Sequence, residues 1–354
     1  MLAILDQLPE GFLDAQAREL ARTLPGPTLI HLPGRRTPTL FVSILLHGNE
    51  DTGLLAVQRV LRKYFEPNGS GELPRAMSLF VGNVEAAEQG LRRLNGQPDF
   101  NRIWPGAEGI EHQEAEIMRR VMDEMRERDL FASIDIHNNT GINPHYACVN
   151  RLDHRFFHLA TLFSRTVVYF IRPTGVQSAA FAKLCPSVTL ECGKVGDRSG
   201  VEHAAQFVDA CLHLAQLPEH DVHHQDIDLF HTVAIVRIPE KVSFSFGGSD
   251  VDVRLAPDLD HLNFRELPEG TRLGWVNGNC EGCVEVRDEH GALVAERFFE
   301  VVDGELRTKV PLMPSMFTRD ERVIRQDCLG YLMERYPLES LHLGHGNGRD
   351  EGAA

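Results

Sequence analysis

Continuous apolar runs of strand length, each followed by a helical segment, constrain the fold of this chain more than any other feature. The run TLFVSILL at 39–46 is typical of a strand buried on both faces, because a strand with one exposed face would alternate apolar and polar residues. The next segment repeats apolar residues at helical spacing from Leu54 to Phe65. Similar patterns predict strands at 77–83, 130–136, 145–150, 166–170 and 187–192, and helices at 111–129, 153–164 and 200–216. This alternation predicts an α/β fold with a mixed, mainly parallel sheet and helices on both faces.

The pattern changes at 217–226, a polar segment that contains a proline. Beyond it come short strands separated by turn residues, the last of them at 292–302, and they predict a smaller, all-β C-terminal domain. Because 354 residues exceed what one core usually organises, we predict a first domain at 1–220, a β-rich domain at 221–340 and a mobile tail at 341–354. The segment 1–20 is predicted to form a short amphipathic helix.

Composition and charge exclude several classes of partner. The net charge of −15 argues against nucleic acid, whose phosphates are bound by clustered lysine and arginine. The N-terminal segment lacks the basic and apolar regions of a signal peptide, and no run reaches the roughly 20 apolar residues that span a bilayer. Seven cysteines spread over a long chain are typical of reduced thiols. We therefore expect a cytoplasmic protein with no membrane partner; the oligomeric state is left open.

Chemically versatile side chains follow three of the predicted strands. His47 and Glu50 come after the strand at 39–46, His137 ends the strand at 130–136, and Glu191 lies at the end of the strand at 187–192. Ligands of open α/β sheets bind beyond the carboxyl ends of the strands. We therefore expect these four side chains to meet at one edge of the sheet.

Two histidines and a glutamate are the ligand set of many catalytic zinc sites, which keep a further position open for water. Imidazole with carboxylate suits zinc better than magnesium or calcium. The sequence thus predicts one Zn²⁺ per chain at His47, Glu50 and His137. Asp135, on the same side of its strand as His137, is predicted to orient that imidazole. Glu191 is predicted to be the general base that takes a proton from water and passes it to a leaving nitrogen.

Four motifs, in this order, resemble the succinylglutamate desuccinylase/aspartoacylase family, which is related to the M14 zinc carboxypeptidases. They are HGNE (47–50), DFNR (99–102), DIH (135–137) and TLECGK (189–194), and a weaker similarity continues at 261–270. The resemblance implies a carboxypeptidase-like fold in which 1–220 is the zinc hydrolase domain and 221–340 caps the active site. It also implies the zinc ligands and the base named above, and a deacylase that hydrolyses the amide bond of a small N-acyl amino acid.

The resemblance further assigns arginine and asparagine side chains to the substrate. Asn101 and Arg102 would bind a substrate carboxylate, for which a guanidinium offers a matching planar fork. An upstream arginine would stabilise the oxyanion of the scissile carbonyl, with Arg93 as the better candidate and Arg92 as the alternative. Neither Tyr331 nor Tyr336 clearly matches the family's substrate-contacting tyrosine, because both lie close to the C-terminus.

Two other functions stay open from the sequence. One is a metallocarboxypeptidase that acts on peptides with the same zinc chemistry, and the other is an inactive metal-binding or interaction protein. The presence of Glu191 weighs against inactivity, and the lack of a Gly-x-Ser-x-Gly motif weighs against a serine hydrolase. The pair Cys280 and Cys283 is predicted to form a turn between strands and not a zinc site, since no second pair follows.

Overall fold

The computed structural model describes residues 1–337 except 67–68, 110–111, 249 and 279–281. The predicted tail at 341–354 and Cys280 lie outside these residues. The strands are β1 (Ala3–Leu5), β2 (Thr28–Leu32), β3 (Thr39–Ile44), β4 (Met77–Val81), β5 (Leu130–Asn139), β6 (Tyr146–Val149), β7 (Thr166–Tyr169), β8 (Ser187–Lys194), β9 (Asp228–Arg237), β10 (Phe244–Ser245), β11 (Val253–Leu255), β12 (Arg272–Val276), β13 (Glu285–Asp288), β14 (Phe299–Val302), β15 (Glu305–Thr308), β16 (Met313–Ser315) and β17 (Gly330–Arg335). The helices are α1 (Thr52–Phe65), α2 (Val84–Gln89), α3 (Gln113–Arg126), α4 (His154–Thr161), α5 (Gln177–Phe181), α6 (Arg198–His213), α7 (Ala295–Phe298) and α8 (Glu321–Gln326).

A large mixed sheet organises the molecule. Its strand order is β1-β2-β4-β3-β5-β8-β6-β7-β9-β17-β16, and β13 pairs with β9 outside this order. The neighbours β4, β3, β5 and β8 run parallel, as the alternation of strands and helices predicted. One face packs against α1, α4 and α6, and the other packs against α3 and α5. The predicted fold class, with helices on both faces of a mixed sheet, is confirmed.

The chain beyond residue 221 contributes to both sheets. Strands β9, β13, β16 and β17 continue the large sheet, whereas β10, β11, β12, β15 and β14 form a second sheet in that order. The second sheet agrees with the predicted β-rich C-terminal region. The predicted boundary at 220/221 does not coincide with a break in the large sheet, because β7 and β9 pair across it.

Three local predictions are wrong. The amphipathic helix at 1–20 is absent: Ala3–Leu5 forms an edge strand beside β2, and a short 3-10 helix follows only at Ala17–Arg22. The segment 292–302, predicted as a strand, begins with α7 before β14. Cys283 is disulfide-bonded and not reduced as predicted. The thiols that are free, as expected, are all buried: Cys148, Cys185, Cys192, Cys211 and Cys328. No helix in the described part of the chain has both the length and the apolar character needed to cross a membrane.

Candidate metal centre and active site

The HGNE motif forms a tight turn between β3 and α1 that places His47 and Glu50 at the edge of the sheet. Gly48 is required in this turn, since a Cβ atom there would lie 2.2 Å from the backbone nitrogen of Ala87 in α2. The adjacent strand β5 carries His137, and its neighbour β8 carries Glu191 directly opposite His137 in the register. The expected convergence of these side chains at the carboxyl ends of β3, β5 and β8 is therefore found.

His47, Glu50 and His137 form a group that could hold a metal ion. One ligand atom from each lies within 4.8 Å of the others, and all three side chains are buried. The Nδ1 atoms of His47 and His137 both lie 2.8 Å from Glu50, one from Oε1 and the other from Oε2. The two imidazoles therefore present the same ring nitrogen to a common point, which is the donor arrangement that a single ion needs.

Carboxylates contact the opposite nitrogen of each ring. His137 Nε2 lies 2.7 Å from Asp135, and His47 Nε2 lies 3.0 Å from Asp99. Each Nε2–H can thus donate to a carboxylate and leave the Nδ1 lone pair for a metal. The orienting role predicted for Asp135 fits this geometry. Asp99 is a second such residue that the sequence reasoning missed, although it begins the DFNR motif.

The charges around Glu50 favour its ionised form. Burial opposes ionisation, but the neighbouring His47 and His137 hold the pKa of Glu50 far below its ordinary value. The backbone N–H of Asn138 also donates to Glu50 Oε2 at 3.1 Å. Glu50 is therefore a carboxylate, the form that binds a metal.

The surroundings of Glu191, unlike those of Glu50, favour the protonated form of the side chain. It is buried, it lines the same pocket, and its Oε2 atom has no hydrogen-bond partner among the described residues. Burial, with Glu50 and Asp135 adding in the same direction against the opposing effect of His137, raises the pKa of Glu191 to about 8. A carboxylate in this environment is a stronger base than one in water.

Arg92, not Arg93, contacts the candidate metal ligands. Arg92 Nη1 lies 3.3 Å from His47 Nδ1 and 3.5 Å from Glu50 Oε1. The consecutive side chain of Arg93 points away and donates instead to the backbone oxygen of Gln97 at 2.6 Å. The preference for Arg93 over Arg92 therefore conflicts with the geometry.

Asn101 and Arg102 line the pocket, but both are already bonded within the protein. The Asn101 side chain donates to Asp135 at 3.3 Å and accepts the backbone N–H of Gln177 at 2.9 Å. Arg102 Nη2 donates to both carboxylate oxygens of Asp327, at 3.1 and 2.9 Å. Their binding to a substrate carboxylate stays a prediction.

The pocket is walled partly by the C-terminal half of the chain. Tyr331, on β17, lines it with its hydroxyl 3.4 Å from Arg102, so this tyrosine reaches the site despite its late position in the sequence. Other lining residues from this half are Thr232, Ser315, Met316, Val323, Asp327 and Cys328. The cavity measures about 120 Å³ and is smaller than the adjoining groove of about 540 Å³. The smaller cavity is the candidate active site because His47, Glu50 and His137 line it.

Comparisons with known proteins identify a family domain in the part of the chain that carries His47, Glu50, His137 and Glu191. The model of the succinylglutamate desuccinylase/aspartoacylase catalytic domain matches residues 36–217, more than half of the chain. A succinylglutamate desuccinylase structure from Chromobacterium violaceum is 18% identical, with a TM-score of 0.53 over 86% of this chain and 87% of that chain. One from Vibrio parahaemolyticus is 14% identical, with a TM-score of 0.57 over 87% and 86%.

Murine aminoacylase 3 is likewise similar, at 14% identity and a TM-score of 0.53 over 85% of this chain and 97% of that chain. At such identities these structures show a shared fold. None of the curated proteins matches the chain. The fold and the extent of the domain match show that the chain belongs to the succinylglutamate desuccinylase/aspartoacylase family.

Proposed function

We propose that this protein is a zinc-dependent deacylase that hydrolyses the amide bond of a small N-acyl amino acid. The observation that carries the proposal is the convergence of His47, Glu50 and His137, with Glu191 on the adjacent strand facing the same pocket. The family contains amide hydrolases, which supports this reaction type.

Zinc fits the donor set of two imidazole nitrogens and one carboxylate, and when bound there it supplies Lewis acidity toward the scissile carbonyl and the attacking water. Asp99 and Asp135 keep the two imidazoles in the tautomer that a metal requires. Glu50 contributes the negative charge of the set.

Glu191 transfers the proton in this mechanism. Its Oε2 atom accepts the proton of the attacking water and then delivers it to the leaving nitrogen. The buried surroundings of Glu191 favour this cycle, because they make the carboxylate basic enough to take a proton and the acid able to return it. Arg92 would stabilise the oxyanion, and its contact with the metal ligand His47 supports this role.

The walled pocket favours a small substrate over a peptide. Side chains from the C-terminal half, including Val323 and Tyr331, narrow the space in front of the candidate metal ligands. A metallocarboxypeptidase needs a longer groove for its peptide. An inactive metal-binding protein would not need a basic carboxylate beside the ligands, so Glu191 weighs against that function.

The proposal is tested by a release assay on N-acetyl and N-succinyl amino acids and on short peptides, with zinc-loaded and chelator-treated protein. We expect release from the acyl amino acids, loss of release on chelation and recovery on zinc addition. Release confined to peptides would support the carboxypeptidase. The absence of release from every compound, in protein with one bound zinc, would contradict an enzymatic function.

Substitution of the base separates catalysis from metal binding. We expect Glu191→Gln to retain zinc while kcat falls by about 10²–10⁴-fold, because the amide keeps the shape of the side chain but cannot take the proton. Metal content is measured by atomic emission and kcat by the same release assay. His47→Ala, the matched control, should lose zinc as well as turnover.

A further inference from the structure

Asp327 occupies the guanidinium fork to which the family resemblance assigns a substrate carboxylate. Its two oxygens accept from Arg102 Nη2, and its Oδ2 atom also accepts from Arg92 Nη2 at 3.0 Å. The Asp327 side chain is only 15% exposed. The carboxylate of this residue is therefore already paired with both arginines that face the candidate metal centre.

The backbone around Asp327 is anchored, so its carboxylate is not on a freely moving loop. Its N–H donates to Val323 O at 2.9 Å as the end of α8, and its carbonyl accepts from Arg237 Nε at 3.1 Å. Two residues later, the N–H of Leu329 donates to Val236 O on β9. A substrate carboxylate would have to break a buried, charge-assisted contact to enter the fork, which is costly because the displaced charge loses its partner.

The rest of the described pocket lining contains no arginine or lysine without an acidic partner. Arg172, the remaining arginine of that lining, donates to Glu108 at 3.3 Å, and no lysine is among the lining residues that the structure describes. The wall beyond Glu191 carries neutral side chains such as Tyr146, Cys148 and Val168. Asp327 and Asp99 together balance the positive charges of Arg92 and Arg102, since Arg92 is also paired with Asp99 at 2.9 Å.

We propose that Asp327 is a specificity-determining residue that replaces the substrate carboxylate in the Arg102 fork, so that the preferred substrate is an N-acyl amino acid whose carboxylate is masked as a neutral amide. This inference rests on the proposed function and narrows its substrate class. The Oδ1 atom of Asp327 accepts only one bond, from Arg102, in the described contacts, which leaves it able to accept an N–H from a carboxamide. A free carboxylate at the same place would face Asp327 and be repelled.

The first test compares matched substrates with the zinc-loaded wild-type chain. N-acetyl-leucine and N-acetyl-leucinamide differ only in the carboxylate, so the ratio of their kcat/KM values for release of acetate reports on the fork. We expect the amide to be the better substrate by about 10-fold. A preference of that size for the free acid overturns the proposal.

The second test removes the charge of Asp327 with an isosteric change. In zinc-loaded Asp327→Asn the fork no longer holds an anion. We expect the ratio of kcat/KM for the free acid to kcat/KM for the amide to rise by about 10-fold or more. We also expect acetate to bind more tightly, as measured by calorimetry. Glu285→Gln is the matched control, because Glu285 pairs with Arg287 in the adjoining groove and does not touch Arg102. An unchanged substrate ratio and acetate affinity in Asp327→Asn would refute the role of Asp327.

Failure of the deacylase activity and failure of the role of Asp327 give different results. If neither leucine compound is hydrolysed, the same comparison is made with an acyl amino acid that the broader assay shows to be hydrolysed and with its amide. If the broader assay finds no release, the proposed activity has failed, and the acetate affinities of wild type and Asp327→Asn then decide the occupancy of the fork alone. If Asp327→Asn does not fold, the wild-type substrate ratio decides. Acetate also binds zinc, but that contribution is common to both proteins and cancels in the comparison.

Discussion

At the scale of single residues, the candidate site depends on which nitrogen of each imidazole faces the ion. A histidine has two ring nitrogens, and a carboxylate bonded to one of them determines which is left as a lone pair. Asp135 performs this role for His137 and Asp99 performs it for His47. The metal affinity should therefore depend on side chains that never touch the ion.

We expect Asp135→Asn to lower zinc affinity by about 10- to 100-fold, since a neutral amide holds the His137 tautomer less firmly and makes the imidazole a weaker donor. Affinity is measured by competition with a chromophoric chelator. Asp153→Asn, at the N-terminus of α4, makes the same chemical change away from the site and should leave the affinity unaltered. Equal zinc affinities for Asp135→Asn and wild type would argue against the orienting role.

Arg92 and Arg93 offer a direct comparison of neighbouring residues. Because only Arg92 reaches the candidate metal ligands, we expect Arg92→Gln to lower kcat by about 10²–10³-fold, as loss of an oxyanion donor does. Arg93→Gln should change kcat by less than about 5-fold. Steady-state release assays on folded, zinc-loaded variants provide the comparison, and a larger loss in Arg93→Gln would restore the assignment made from sequence.

The residues of the site differ in how far sequence could predict them. His47, Glu50, His137 and Glu191 follow or end apolar strands, and parallel strands bring such positions to one edge by geometry alone. Asp327 has no comparable local signal: it ends a short helix more than 130 residues after the last of the four motifs. The pairing of β17 with β9, which are distant in sequence, brings its neighbourhood to the pocket.

At the scale of elements, fully buried strands were predictable and edge segments were not. Strands β3 and β4 have almost continuous apolar sequences because helices cover both of their faces. The segment around Ala3–Leu5 has helical periodicity, but backbone pairing with β2 overrides that preference. Local sequence cannot reveal such a pairing, because the partner strand determines it.

The pair β2–β4 contains a titratable contact that predicts acid sensitivity. His31 on β2 is bonded to Ser78 Oγ at 2.8 Å, and burial is the main cause that lowers the pKa of His31 to about 4. Since this pKa lies below the value of 6.5 in the unfolded chain, the unfolded state takes up the proton first as pH falls. The stabilising contribution of neutral His31 is therefore complete above pH 6.5 and is lost progressively from pH 6.5 toward pH 4.

Replacing His31 with a residue that does not titrate should remove this loss. Between pH 7 and pH 5, we expect the free energy of unfolding of wild type to fall by about 1–2 kcal/mol more than that of His31→Gln. Urea denaturation followed by fluorescence at each pH measures the difference, in which groups common to both proteins cancel. His213→Gln, the same change at an exposed histidine, is the control. Identical pH dependence in wild type and His31→Gln would rule out His31 as the cause of the acid sensitivity.

At the scale of the whole molecule, the large sheet crosses the boundary expected from sequence. The change of pattern near 217–226 is real, because a second sheet follows it, but β9 and β17 return to the first sheet. Composition along the chain reports local structure and cannot show which sheet a later strand joins. The division into domains at 1–220 and 221–340 therefore stays a prediction that experiment has to test.

The shared sheet predicts that residues 1–220 do not fold alone. Removal of the later chain takes β9 away from β7, and it opens the cluster in which Tyr146 packs with Phe230 and Met333. An uncovered strand edge and an exposed apolar face favour aggregation. We expect the 1–220 chain to lose near-ultraviolet circular dichroism, to bind a hydrophobic dye and to unfold without a cooperative transition, whereas a 1–337 chain behaves like the full protein. A monomeric 1–220 chain that unfolds cooperatively would show that the first domain is independent and that the later strands only dock onto it.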